Sequence, residues 1–159
     1  MRQLIPTHSP VEDAADSIGD DELADRLAYP EKPAWVRAVF VATLDGAAQG
    51  PDGRAGSISG PPDRRFFALT RAMADVILVG ARTARIEGYG PAGLSPEHRR
   101  IRERRGRADP APIAVVSASL DIPAALLDDP RTIVVTTDRS DPGRRAELAR
   151  KVEVVVAGT

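Results

Sequence analysis

The sequence predicts an α/β protein in which a mostly parallel sheet is flanked by helices. Three observations carry that reading. Short apolar runs rich in β-branched residues recur at 35–43, 75–80, 113–117, 132–136 and 152–156. Helical segments fall between most of them. The length of 159 residues fits one domain, large enough to fold around its own core. Strands alternating with helices favour a parallel sheet, because parallel neighbours need a crossover connection.

Residues 1–33 form an acidic, proline-punctuated arm. Asp20 is placed as the N-cap of a short helix through Ala28, with Leu23 and Leu27 on one face and Pro30 as its stop. Packing of this arm on the domain and a disordered acidic lead-in are both compatible with its composition. The domain itself is expected from residue 34 to 159. Its first strand is Trp35–Thr43, whose apolar character suits a strand covered on both faces.

Leu44-Asp45-Gly46 breaks that strand, and a glycine-rich loop runs to Gly60. Pro61-Pro62-Asp63 opens a helix with Phe66, Phe67, Leu69, Thr70 and Met73 inward. The run 75–80 reads as a second buried strand that turns into a short helix at Gly80. A helix is expected at 96–105 and another at 142–149. Strands at 113–117, 132–136 and 152–156 complete the series. A chain that stops just after an apolar strand leaves that strand uncovered, so the domain is expected to be incomplete at its C-terminus.

Composition removes several kinds of chemistry. With no cysteine, a disulfide framework, a thiolate metal site and a cysteine nucleophile are excluded. His8 and His98 are the only histidines, so no multi-histidine metal centre is expected. The net charge of −1 argues against general attraction to nucleic acid or membrane. No apolar run is long enough to span a bilayer and the N-terminus lacks a secretory apolar core, which makes a cytoplasmic location the expectation.

The most informative unit is the strand ending at Gly80, followed by Ala81-Arg82-Thr83. Such a turn can bind phosphate oxygens through free backbone N–H groups, with Arg82 and Thr83 adding bonds. It can equally be an ordinary strand-to-helix turn capped by threonine. Asp45-Gly46 reads as a tight turn. Ser57-Ile58-Ser59 could cover a flat ring or belong to a mobile loop. Gly88 to Gly93 matches GxGxxG, but it does not follow a strand directly and Pro91 spoils the turn, so the match is rejected. The six arginines of His98–Arg107 read as a solvated helix face or mobile loop rather than a nucleic-acid grip. Glu87 could act as an acid, accept from a ribose hydroxyl, or form a surface ion pair.

Taken in order, Ala42-Thr-Leu-Asp-Gly46, Gly56-Ser-Ile-Ser-Gly60, Leu69-Thr-Arg-Ala72, Ala74–Gly80 and Thr83 resemble the RibD C-terminal family. This is the reductase domain of bacterial riboflavin biosynthesis proteins, with a dihydrofolate-reductase-like fold. The resemblance covers about residues 35–156 and is similar to the stand-alone pyrimidine-reductase-like members. It implies NADPH-dependent hydride transfer to the ring-opened ribose of a phosphoribosylamino-pyrimidine.

The same resemblance implies that Val41, Ala42, Ser57 and Ile58 lie by the nicotinamide, and that Gly80, Arg82 and Thr83 meet the phosphate half of the cofactor. Arg71, Thr83 and Glu87 fall at the phosphoribosyl part of the substrate, although riboflavin enzymes often carry aspartate at the Glu87 position. The family's next substrate-binding arginine has no match near Gly90–Leu94. No catalytic residue is assigned. The zinc deaminase half of bifunctional members is absent, because it needs cysteines. Family members continue for roughly another hundred residues, a domain-scale length, through which a homodimer forms. A pterin or folate reductase on the same fold and a non-catalytic nucleotide-binding remnant are the alternatives.

Overall fold

The computed structural model describes residues 18–107 and 109–158. In chain order these form α1 (Asp20–Arg26), a 3₁₀ turn (Ala55–Ser57), α2 (Pro61–Met73), β1 (Ile77–Gly80), α3 (Ala81–Glu87) and α4 (Pro96–Glu103). Then come β2 (Ile113–Val116), α5 (Ala124–Leu127), β3 (Ile133–Thr136), α6 (Pro142–Leu148) and β4 (Glu153–Val156). Prolines open α2, α4 and α6, where a missing N–H costs nothing. Ser95 and Asp141 cap α4 and α6 by accepting from His98 N and Arg144 N. Among the described residues no helix is long and apolar enough to cross a membrane.

The sheet has four parallel strands in the order β1-β2-β3-β4, as the alternation of elements predicts. Register places Val79, Val115, Val134 and Val154 across one face. That face packs with Ala81 and Ala84 of α3, Leu126 of α5 and Leu148 of α6 into one core. Leu120 completes it from a left-handed backbone conformation (φ 59°), its side chain fully buried. Such a conformation costs a non-glycine residue of order 1–2 kcal/mol, which burial of an isobutyl group offsets at about 1.5–3 kcal/mol.

The opposite face is different. Leu78 is 67% exposed, and Val116 and Val155 also reach solvent. The expectation that 75–80 is a buried strand is therefore corrected: β1 is an edge strand, half-covered. Ile77 N donates to Pro112 O beside β2, so the backbone groups of alternate residues such as Leu78 point away from the sheet.

A larger correction concerns 35–43. The chain there is extended, but it is not a strand of the sheet. Among the described residues, none of 34–42 makes a backbone–backbone hydrogen bond. Val36 and Phe40 are nearly 90% exposed (87% and 88%). The segment is held by Arg37, which donates to Leu27 O at 2.7 Å and lies over the Tyr29 ring. Composition suits a strand; pairing requires a hydrogen-bonded neighbour, and residues 34–42 make no such bond to β1.

A second core joins α1, α2 and α4 through Leu23, Ala24, Leu69, Met73 and Ile101. Here Gly19, not Asp20, is the N-cap of α1. The Asp20 carboxylate is buried instead and accepts from Arg65 Nε at 2.5 Å and lies 3.1 Å from His98 Nε2. The arginine-rich run is likewise not simply a solvated face. Arg104 and Arg105 pair with Asp21 and Asp25 of α1, and Arg107 pairs with Asp75. Buried Arg102 donates to the carbonyls of Ala72, Ala74 and Asp109. The part of the acidic arm from Ile18 onward is thus packed on the domain. Residues 1–17 lie outside the described part of the chain.

Candidate functional site

The carboxyl end of β1 leads directly into α3 at Gly80. Gly80 has φ −72° and ψ 141°, which any residue can adopt. A Cβ placed there would meet nothing within 4 Å. Neither backbone strain nor packing demands glycine, so its absent side chain matters only to what approaches the turn from outside. Thr83 follows one turn into α3 and is exposed.

Between this end of β1 and the extended segment 28–41 runs an open groove of about 1890 Å³. The strand side contributes Leu78, Val79 and Gly80, and α3 contributes Thr83 and Glu87. From α2 come Phe67, Thr70 and Arg71, and Trp35 and Val41 line the far wall. On this side β1 is an edge strand, and residues 34–42 opposite it make no backbone hydrogen bond to it.

Arg71 is the one cation of α2 placed among aromatic rings. Its guanidinium lies 5.3 Å from the Phe67 centroid and 5.0 Å from the Tyr89 centroid. The i, i+4 spacing of Phe67 and Arg71 on α2 brings the first ring to it. Tyr89 arrives through the chain reversal after α3, where Gly88 takes the left-handed C-cap position (φ 70°) and Tyr89 N donates to Ala84 O at 2.8 Å. Among the described residues Arg71 has no carboxylate or hydrogen-bond partner. Ring contacts occupy no N–H donor, so the donors of the ion stay available to an anion.

The glycine-rich loop closes on itself at the groove's rim. Thr43 Oγ1 donates to the Asp45 carboxylate, and that bond holds the Asp45 carboxyl below its ordinary range. Asp45 is therefore a turn residue, with Gly46 at φ 88°. Ser57 Oγ donates to Arg54 O at 2.8 Å, and the same hydroxyl lowers the pKa of Asp52. A Cβ on Gly50 would lie 2.0 Å from Ser57 Oγ, so any side chain there would turn the Ser57 hydroxyl away from Arg54 O.

Of the residues singled out from sequence, Val41, Arg71, Gly80, Thr83 and Glu87 line the groove together. Ala42, Ser57, Ile58 and Arg82 do not line it. Ser57 faces its own loop, while Ala42 and Arg82 are exposed outside the groove. Phe67 and Tyr89, the rings that frame Arg71, were not anticipated as site residues. Helical spacing could have found Phe67. Nothing in the sequence marks Tyr89, which sits inside the rejected GxGxxG match; Gly88 closes α3 rather than opening a helix.

The fold is a parallel α/β sheet with an open groove at the carboxyl end of its edge strand, the place where open α/β sheets bind ligands. The chain belongs to the RibD C-terminal domain family, whose model matches residues 34–158. Among solved structures it is similar to a pyrimidine reductase-like protein from Corynebacterium diphtheriae. That similarity has a TM-score of 0.63 and 28% identity, over 74% of this chain and 52% of the other. The chain thus spans about half the length of that relative. No curated protein matches it.

Proposed function

We propose that residues 34–158 supply the N-terminal part of a riboflavin-type reductase domain, which uses NADPH to reduce a phosphorylated ribosylamino-pyrimidine. Family membership and the pyrimidine reductase-like relative support the reaction class. The observation that carries the reading in this chain is Arg71, a partly buried cation over two aromatic rings in the groove that Gly80 and Thr83 also line. A phosphate of substrate or cofactor is the ligand such a group fits. NADPH supplies the hydride when bound; the residues here orient the two reactants and balance their charge. No strong general base is needed, in keeping with a groove that contains no histidine.

The incomplete sheet supports the domain reading. The free edge of β1, the unpaired 34–42 segment and the exposed apolar residues of the sheet are features that a larger domain would pair or cover, and the chain spans 52% of its relative. A homodimer formed through the completed domain belongs to the same reading.

Trp35 is the only tryptophan and lines the groove. Its emission should change saturably as NADPH is added. Binding only by a chain extended through its reading frame would locate the missing part of the cofactor site. Absence of binding by both forms would rule the reductase reading out.

A further inference from the structure

The geometry points to Glu87 as a positioning residue that ties the glycine-rich loop to the helix bearing Thr83, an inference that rests on the cofactor reading above. Glu87 is the last residue of α3. A carboxylate at a helix C-terminus faces the negative end of the backbone dipole, so the helix itself gains nothing from it. Its Oε1 instead accepts from Ala55 N at 2.7 Å, across 32 residues of sequence. Ala55 is the first residue of the 3₁₀ turn, and the residue before it, Arg54, offers no side-chain cap. The Ala55 N–H would otherwise lack an intrahelical acceptor. Glu87 therefore caps a turn that belongs to a distant segment.

Two further facts sharpen this. Glu87 forms no ion pair among the described residues, so this bond is not incidental to an arginine contact. The other side-chain bonds of the loop reach no farther than α2: Ser57 to Arg54, Asp52 to Arg54, Ser59 to Asp63, and Arg64 to Gly56 O. The Ala55–Glu87 bond is what connects the loop to the sheet end. Thr83 and Glu87 stand four residues apart, hence on one face of α3. The same short helix then offers Thr83 to the groove and fixes the wall formed by Ala55, Gly56 and Ser59. Glu87 acts through the loop, and a ligand need not touch it.

Glu87→Ala, Glu87→Gln and Ala55→Pro test this in the full chain. Glutamine keeps an acceptor without charge. Proline replaces the donor by a ring carbon that displaces the Glu87 carboxylate, and Arg54 already has the extended backbone (φ −113°, ψ 139°) that a following proline favours. Two quantities are measured: hydrogen exchange of the loop amides without ligand, and NADPH affinity from Trp35 emission. Glu87→Ala is expected to speed exchange at Ala55 and to weaken NADPH about tenfold, the scale of one charge-assisted hydrogen bond. Ala55→Pro should weaken NADPH equally, the double variant no further, and Glu87→Gln should recover most of the affinity. Unchanged exchange in Glu87→Ala overturns the tether whatever NADPH does. Equal losses in Gln and Ala variants, with Ala55→Pro unaffected, would make Glu87 a direct ligand contact and overturn the positioning role. If neither the unsubstituted chain nor its extended form binds NADPH while Ala55 exchange still responds to Glu87→Ala, the cofactor reading fails and the tether survives as a structural bond alone.

Discussion

The Arg71 guanidinium lies 5.0 Å from the centre of the Tyr89 ring, the two being brought together by a helix and by the reversal that follows the next one. With Phe67 on α2 supplying a second ring, the ion lies over two rings. Lysine cannot reproduce this, because it lacks both the plane that stacks and the forked donor edge.

Arg71→Lys and Arg71→Ala should therefore both weaken binding of a phosphorylated ligand, by about tenfold or more, the scale of one charge-assisted contact. The fold should tolerate them, with a loss of about 1 kcal/mol for the cation–ring contacts. Calorimetric titration with a ribose 5-phosphate compound, beside thermal unfolding, checks both halves. Affinity retained in the lysine variant would show that charge alone, not the ring-held plane, matters.

Gly80 gives a contrasting case. Its ordinary backbone angles and free surroundings predict that Gly80→Ala leaves unfolding within about 0.5 kcal/mol of the parent. If a phosphate or ribose approaches this turn closely, the same methyl group weakens NADPH binding. A stable variant with unchanged NADPH affinity would remove Gly80 from the site.

Asp20 joins α1 to both α2 and α4 through Arg65 and His98. Asp20→Ala leaves two buried or half-buried donors without their acceptor, so a loss of about 2–3 kcal/mol is expected in urea unfolding. The conservative Asp20→Asn retains one acceptor oxygen and should lose less. Removing α1 would expose Leu69, Met73 and Ile101, since Leu23 and Ala24 pack with them.

Acid should weaken the fold in a defined direction. Arg131 holds the Asp129 carboxyl below its ordinary value of 3.8, chiefly through their side-chain hydrogen bond. A carboxyl depressed in the folded state contributes stability above its unfolded pKa, and that contribution is lost as pH falls through the folded one. The Asp129 share is present at neutral pH and disappears below about pH 4. Asp129→Asn should flatten the fall in stability across this window while lowering stability at pH 7. An unchanged slope would show that other carboxylates govern acid unfolding.

Much of the architecture was legible because local signals sufficed. Proline at the openings of α2, α4 and α6 and β-branched runs at 113–116, 133–136 and 153–156 placed elements to within a residue or two. Other features depend on partners far away in sequence. The arginines of 98–107 read as solvated until α1 supplied their carboxylates, and Asp20 read as a cap until Arg65 and His98 met it. Local pattern cannot show which distant side chain will arrive.

The sequence by itself determined the α/β class, the family-like series from Ala42 to Thr83, and the absence of thiol chemistry, since these rest on residue identity and spacing. Only the tertiary structure decided that Trp35–Thr43 stays unpaired, that Tyr89 meets Arg71, and that Glu87 reaches Ala55. The reason is physical. A strand needs a hydrogen-bonding neighbour, a stacked cation needs two rings in place, and a cap can come from any segment that folding brings within 3 Å.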